Sequence, residues 1–392
     1  VTRVLVVGGG LVGLSTAWAL TRRGCQVTVV EKEDDWAQHQ SGHNSGVVHS
    51  GLYYRPGSLK ARLAIEGAAQ LEEFCAEHEV PFRRCGKLVV ATRPREIERL
   101  HALAERGRAN GVKAQIVGRR EIAEREPHVQ ALAGLWVEST GICDFAGVAR
   151  VLARLLESAG ADLRLRTRAL ELVDRGDRVQ ALLHDGRTFV VSGSAAVGCA
   201  GLHADRLLGD ARELRIVPVR GEYALLRDER AYLVNGLIYP LPDPQLPFLG
   251  VHFTRCLDGR VLVGPNAVPA AAREGYRRRD VNAADLREAV GFGGAWRLAR
   301  RQTRYGVGEL SRSLIKPLFV AAVRRMIPDV TAADLVPGPA GVRAQAVRRD
   351  GSMLDDFEVR RSGSVVHVLN APSPAATSCL ALGEHIAALI PR

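Results

Sequence analysis

A glycine-spaced turn, two histidines and one arginine are the residues whose types and spacing point to chemistry in this 392-residue chain. Gly8-x-Gly10-x-x-Gly13 follows a short apolar run, Val4 to Val7, and a second run, Val27 to Val30, ends at Glu31. In such a turn the first glycine permits the tight bend and the second lets backbone approach a pyrophosphate. The third lets helix and strand pack closely, and the helix N-terminus faces the phosphates. Glu31, 18 residues after Gly13, can accept hydrogen bonds from a ribose 2′-OH and would repel a 2′-phosphate. FAD or NAD therefore fits, and NADP does not. His252, in Leu249-Gly-Val-His-Phe-Thr-Arg255, has a side chain whose ordinary pKa suits a general base, although a half-buried sheet histidine would look the same. His49 lies six residues after His43, near Tyr53 and Tyr54, and is the second candidate. Arg343, in Gly341-Val-Arg-Ala-Gln345, offers a planar fork that pairs bidentately with a carboxylate, or with a scaffolding partner.

These residues need a frame. The glycine turn sits between a strand and a helix with Leu11, Leu14 and Trp18 on one face. A Gly/Ser/His/Asn loop at 39–51 leads into a helix from about Leu59 to His78. Gly86 to Thr92 reads as a strand, and 94–110 as a charged amphipathic helix. A second α/β passage covers about 145–201, with a helix from Val148 to Ser158 and strands around Leu163–Leu172 and Val179–Leu183. Its last apolar run, Ala195–Val197, ends in Gly198-Cys-Ala-Gly201. Residues 214–268 alternate like an antiparallel sheet punctuated by prolines. Residues 280–335 read as interrupted helix, and Val365–Asn370 as a strand before a small polar turn and a final helix.

Composition narrows the class. Hydrophobic residues make up 46% and charged residues 25%, which fits a globular chain, and no run reaches bilayer-spanning length. The first strand begins at residue 4, so the expectation is that no signal or transit peptide precedes it. Seven scattered cysteines without a C-x-x-C pair argue against a disulfide framework and against a zinc site, and no metal is expected. Cys25 and Cys199 read as small buried hydrophobes. The net charge of +11 comes from dispersed basic residues with no accompanying nucleic-acid motif, so no nucleic-acid partner is expected.

Several long words in fixed order carry more information than the glycine turn. They are Gly42-HNSGVVHSGLYYRPGSLKA-Arg62, Cys85-GKLVVAT, Pro218-VRGEY, Leu237-IYPLPDPQLPFLGVHFTR-Cys256, Gly264-PNAV, Tyr305-GVGEL, Gly338-PAGVRAQAV and Leu369-NAPSPAATSCLALG. Nearly end to end, the chain resembles the L-2-hydroxyglutarate dehydrogenase/oxidase family of the FAD-dependent, amino-acid-oxidase-like superfamily. Cys143 is a local departure, at a position where that family usually has an apolar residue.

The resemblance implies an α/β fold, α+β overall. Its Rossmann-like FAD-binding domain would be built from 1–84, 145–213 and 336–392, with an antiparallel-sheet substrate domain inserted as 85–144 and 214–335. It implies FAD, held non-covalently, against Gly8, Gly10, Leu11, Val12, Gly13, Glu31, Lys32, His43, Asn44, Ser45, Gly46, Ala200 and Gly201. Ser373, Pro374, Ala375, Ala376 and Thr377, read as opening the last helix, would complete that site. The implied reaction is hydride transfer from C2 of a 2-hydroxy acid, most simply L-2-hydroxyglutarate. His252 would be the base with His49 second, and Arg343 the carboxylate clamp. A second carboxylate needs another cation, with Lys60, Arg62 and Arg255 as candidates and Tyr53, Tyr54, Tyr305 and Gln345 as further contacts; Lys60 and Arg62 equally fit solvated helix positions. The expected partners are a small anionic substrate and an acceptor, oxygen or a quinone. The expected location is the cytoplasm, with peripheral contact at the inner face of the membrane. Competing readings are an amine or amino-acid oxidase of glycine or sarcosine type, an NAD-linked dehydrogenase, and a non-enzymatic flavin-bearing binding protein.

Overall fold

The computed structural model describes residues 1–208, 213–242, 250–301 and 316–391. The apolar run at the N-terminus forms the strand Arg3–Val7 at the middle of a six-stranded sheet. From one edge, the order is Glu358–Ser362, Val365–Asn370, Ala195–Gly198, Arg3–Val7, Gln26–Val30 and Asp162–Arg164. Every pairing is parallel except the edge strand Glu358–Ser362 against Val365–Asn370. A parallel sheet covered on both faces needs apolar residues at every position, and the central strand supplies them. Val4 and Val6 face a core shared with the helices Leu11–Arg22, Leu59–Glu77, Phe145–Ser158 and Cys379–Ala388. Leu5 and Val7 face the other way, onto a small antiparallel sheet of Arg168–Asp174, Val179–His184 and Thr188–Gly193. Cys75 and Cys143 lie in the first of these cores as thiols with sulfurs 3.5 Å apart. Cys25 and Cys199, expected to be buried, are only half-buried, and Cys199 lines the main cavity.

The second large sheet has nine strands. From Leu214–Leu226 to one edge it runs Val261–Gly264, His252–Arg255, Leu237–Pro240, Lys87–Ala91, Ala133–Val137 and Ala114–Val117. Leu237–Pro240 and Lys87–Ala91 are parallel, and the other pairs are antiparallel. Leu335–Arg348 pairs with Leu214–Leu226 from Leu214 opposite Arg348 to Leu226 opposite Leu335. This strand runs across residue 336, where a domain boundary was expected, and is built into the second sheet. Its Pro337, Gly338, Pro339 and Gly341 hid it from a reading that treats such residues as breaks.

Other elements also differ from expectation. The stretch 163–172 is two strands in two different sheets, separated at Arg166, whose φ is 53°. The interrupted helix expected over 280–335 does agree, with Ala283–Gly291, Gly293–Arg301 and Lys316–Arg324 among the described residues. The last helix begins at Cys379, so Ser373–Thr377 form a turn ahead of it rather than its first residues.

Candidate active site

A cavity of about 1110 Å³ connects the glycine turn to the histidines. It exceeds the roughly 300–1,000 Å³ of ordinary small-ligand pockets. At the turn, Gly8 has φ +111°, and a Cβ on Gly13 would overlap the Gly8 carbonyl oxygen, so both positions require glycine. The backbone N–H groups of Gly9 (2.6 Å) and Glu33 (2.9 Å) donate to the two carboxylate oxygens of Glu31. Each oxygen keeps accepting capacity, and Glu31 lines the cavity. Ser41 reaches in from the loop and accepts the N–H of Leu11 at the helix start (2.9 Å). Gly8, Gly10, Leu11, Val12, Gly13, Lys32, Ala200 and Gly201 all line this end.

A polar clasp crosses the same end. Lys32 bonds to Glu33 and to Glu274, the latter at 2.6 Å, and His203 Nε2 lies 2.8 Å from Glu274. Burial alone would raise the Glu274 carboxyl, but its hydrogen bonds to His203 and Lys32 hold it well below the usual range. Glu33, His39 and Glu274 offer metal-type ligand atoms within 4.8 Å of one another, yet the Lys32 ammonium already supplies the positive charge there. His43 stacks on Tyr276 with ring centroids 4.1 Å apart, and its Nδ1 is 3.2 Å from the Ala340 carbonyl. Asn44 folds the loop by donating to the Gln40 and Ser41 carbonyls and accepting the Gly46 N–H. His43, Asn44 and Ser45 line the cavity; Gly46 does not, its role being the turn itself at φ +72°.

At the far end, His252 is buried on the strand His252–Arg255. Its Nδ1–H donates to the Gly250 carbonyl (3.0 Å), so the neutral ring carries its lone pair on Nε2. The ring lies flat on Tyr239, centroids 4.0 Å apart and planes 17° apart. His49 Nε2 is 3.2 Å from Ser373 Oγ, and the His49 N–H donates to Thr377 Oγ1 (3.0 Å), tying this loop to the 371–378 turn. Burial pushes both imidazoles down to about 3. Lys87, Arg343 and Lys60 add to the effect at His49, and Arg343 and Lys87 at His252. The cavity therefore holds two neutral, weakly basic rings, unlike the near-neutral base expected from the sequence.

Arg343 lines the cavity from the strand Leu335–Arg348, opposite Val219. Lys60 is set by Asp356, whose carboxylate accepts the Leu59 and Lys60 N–H groups at the start of their helix. Its Nζ is 3.3 Å from Asp355 and 5.6 Å from the Tyr54 ring centre. Tyr53, Tyr54, Gln345, Ser373, Pro374, Ala375, Ala376 and Thr377 also line the cavity. The Gln345 amide N–H groups are directed to the Ala346 and Leu354 carbonyls. Arg255 is not in the site. Strand alternation puts it on the face opposite His252, where it donates to the Ala231 and Val234 carbonyls. Arg62 is exposed and does not line the cavity, and Tyr305 lies outside the described residues.

Sequence reasoning missed Tyr223 and Tyr239 in the wall, and also Arg99 and Arg106. On the helix Ile97–Ala109, Arg99, Ala102, Leu103 and Arg106 form one stripe facing the cavity. Their separations of three and four residues were legible, but the direction of the stripe was not.

The family model for FAD dependent oxidoreductases, DAO, matches residues 3–389. The chain is 43% identical to L-2-hydroxyglutarate dehydrogenase of Indibacter alkaliphilus, over 97% of this chain and 96% of that one. It is 41% identical to the human mitochondrial L-2-hydroxyglutarate dehydrogenase, over 98% and 87%. Among solved structures, the FAD-bound L-alpha-glycerophosphate oxidase of Mycoplasma pneumoniae superposes with a TM-score of 0.79 at 23% identity, covering 99% of this chain and 94% of that one.

Proposed function

The chain belongs to the FAD-dependent oxidoreductase family, and we propose that it oxidises L-2-hydroxyglutarate to 2-oxoglutarate. The observation that carries this reading is the meeting of two neutral imidazoles with Arg343 and Lys60 in one cavity with a dinucleotide turn. Relatives spanning nearly the whole chain bear that activity in their names. When bound, FAD supplies the acceptor for a hydride. Gly8, Gly10, Gly13, Glu31, Ala200 and Gly201 would hold its dinucleotide part, and His43, Ser45 and the Ser373–Thr377 turn its ring.

The chain's own groups then have definite tasks. Arg343 pairs with the carboxylate beside C2 and fixes the direction of the C2–H bond. Lys60 lies within the same cavity for the second carboxylate. As C2–H leaves as hydride, the hydroxyl proton passes to Nε2 of His252 and the C2=O bond forms. Burial is the main cause that holds both imidazoles down; a dianionic substrate beside Arg343 offsets the smaller contribution of the positive charges, so the base strengthens in that part when substrate arrives. Turnover with an artificial acceptor tests the reading. L-2-hydroxyglutarate should turn over, and the D-isomer, glycine and sarcosine should not; preferred turnover of glycine or sarcosine would make this an amine oxidase.

Sheet membership supports a discontinuous FAD-binding domain of 1–84, 145–213 and the chain after Arg348, with the rest as substrate domain. The final electron acceptor is inferred to be oxygen or a quinone, reached from the cytoplasm. No described helix is long and apolar enough to cross a membrane. Exposed Val290 and Trp296 beside Arg297 and Arg301 support peripheral contact with an anionic membrane face.

A further inference from the structure

Behind the substrate end lies a charged side chain that no step above uses. Lys87 begins the strand Lys87–Ala91 and is 1% exposed. Among the described residues its Nζ has no hydrogen-bond partner and no carboxylate pairs with it. It lies 4.3 Å from the ring centre of Tyr53 and 5.2 Å from that of Tyr239. Both rings line the cavity, and Tyr239 carries His252 stacked on its surface. The ammonium is thus separated from the substrate by aromatic rings, whose faces tolerate a cation but do not neutralise it.

Burying a charge without a counter-charge is costly, and a lysine so placed gives up its proton easily. Loss of water pushes Lys87 down to about 7. Of the neighbouring charges, it is also the one that acts most strongly on His49. We propose that Lys87 is a specificity-determining positioning residue, whose buried charge is balanced only when a dianionic 2-hydroxy acid fills the cavity, so that it selects dianions over monoanions. This inference rests on the function proposed above and deepens it. Arg343 and Lys60 each face one carboxylate from within the cavity. A further positive charge behind the tyrosine wall adds to the reward for a dianion over a monoanion.

Several groups titrate around this region, including Glu126 near Cys85, whose carboxyl burial raises to about 7, so Lys87 is isolated by its own variants rather than by the wild-type profile. His49 and His252 are neutral above about pH 5, given their values of about 3. Burial raises the Tyr53, Tyr239 and Tyr223 phenols and the Cys85 thiol above their ordinary values. Lys60 is itself lowered by burial against the pull of Asp355, so wild type alone is not decisive. The comparison of Lys87→Met with Lys87→Arg is. Methionine keeps the volume without the charge, and arginine keeps the charge at every working pH.

For wild type, kcat/KM on L-2-hydroxyglutarate should fall as pH rises through about 7, where Lys87 loses its proton. Lys87→Met should lose the preference for hydroxyglutarate over a monoanion such as L-2-hydroxybutyrate by roughly tenfold, consistent with one missing charge in a protein interior. It should show no Lys87 limb, whereas Lys87→Arg should keep the preference to higher pH than wild type. The FAD-loaded protein provides a readout without turnover. The lysine 13Cε signal absent from Lys87→Met should titrate near neutrality and move to higher pH when glutarate, an unreactive dianion, is added. An ordinary lysine titration, no response to glutarate, or equal losses on both substrates at every pH would overturn the proposal. If wild type fails to oxidise hydroxyglutarate, the functional reading falls, while the glutarate titration still decides the role of Lys87.

Discussion

Replacing Arg343 with lysine keeps the charge and removes the fork, and so asks whether geometry or charge does the work. The backbone at this position cannot follow the shorter side chain. It lies in a strand paired with Leu214–Leu226 over nearly its whole length, with Val219 directly opposite. The substrate carboxylate therefore loses one of two charge-assisted hydrogen bonds, about 1.5–3 kcal/mol. At about 1.4 kcal/mol per decade, this is roughly a 10- to 150-fold loss in kcat/KM. Rotation of the carboxylate also carries C2–H out of line, and misplacement of about 1 Å can alone cost on the order of a hundredfold. We expect a combined loss of about a hundredfold or more. Steady-state kinetics on FAD-loaded Arg343→Lys measures it, with the visible spectrum and melting temperature expected to stay near wild type. The histidines should stay depressed in both Arg343→Lys and Arg343→Met, because burial is the main cause, with Arg343→Met removing only the smaller contribution of the charge. Near-normal kinetics in Arg343→Lys would remove this residue from the site.

Changing His252 to Ala should slow flavin reduction in stopped flow while bound FAD keeps its spectrum. His49→Ala should mainly disturb binding through Ser373 and Thr377; a fast His252 variant beside a dead His49 variant reverses the assignment. Glu31→Ala should weaken FAD retention by about tenfold or more, the loss of one charge-assisted acceptor, as read by dialysis and fluorescence; unchanged retention would exclude the ribose contact. Acid precipitation should leave yellow FAD in the supernatant, and a yellow pellet would show a covalent link. Because His49 and His252 fall to about 3 on folding, the unfolded chain binds more protons below about pH 6.5, so stability should decline as pH drops from there toward 3. Urea unfolding of wild type and His252→Gln at pH 7 and 5 checks this; an equal decline in both would contradict it.

The legible parts of this protein are those where local pattern and local function coincide. The strand, the glycine turn, the helix and Glu31 lie within residues 3–31, and the structure builds them as one unit. The misreadings involve long-range pairing. Lys87 reads as one polar residue at the head of an apolar run, and its tyrosines come from positions 53 and 239. Only the parallel pairing of Lys87–Ala91 with Leu237–Pro240 brings Tyr239 over it. The Arg343 strand is obscured by its prolines and glycines until Leu214–Leu226 is seen beside it. Arg255 is different, since counting in twos from His252 would already have placed it on the wrong face.

The central claim is that this chain removes hydride from C2 of L-2-hydroxyglutarate. Anaerobic mixing of the FAD-loaded protein with that acid tests it most directly, using the L- and D-isomers and the L-isomer deuterated at C2. The account predicts complete bleaching by the L-isomer with one 2-oxoglutarate formed per flavin, slower reduction by the deuterated acid, and none by the D-isomer. Flavin that stays yellow with L-2-hydroxyglutarate would contradict it.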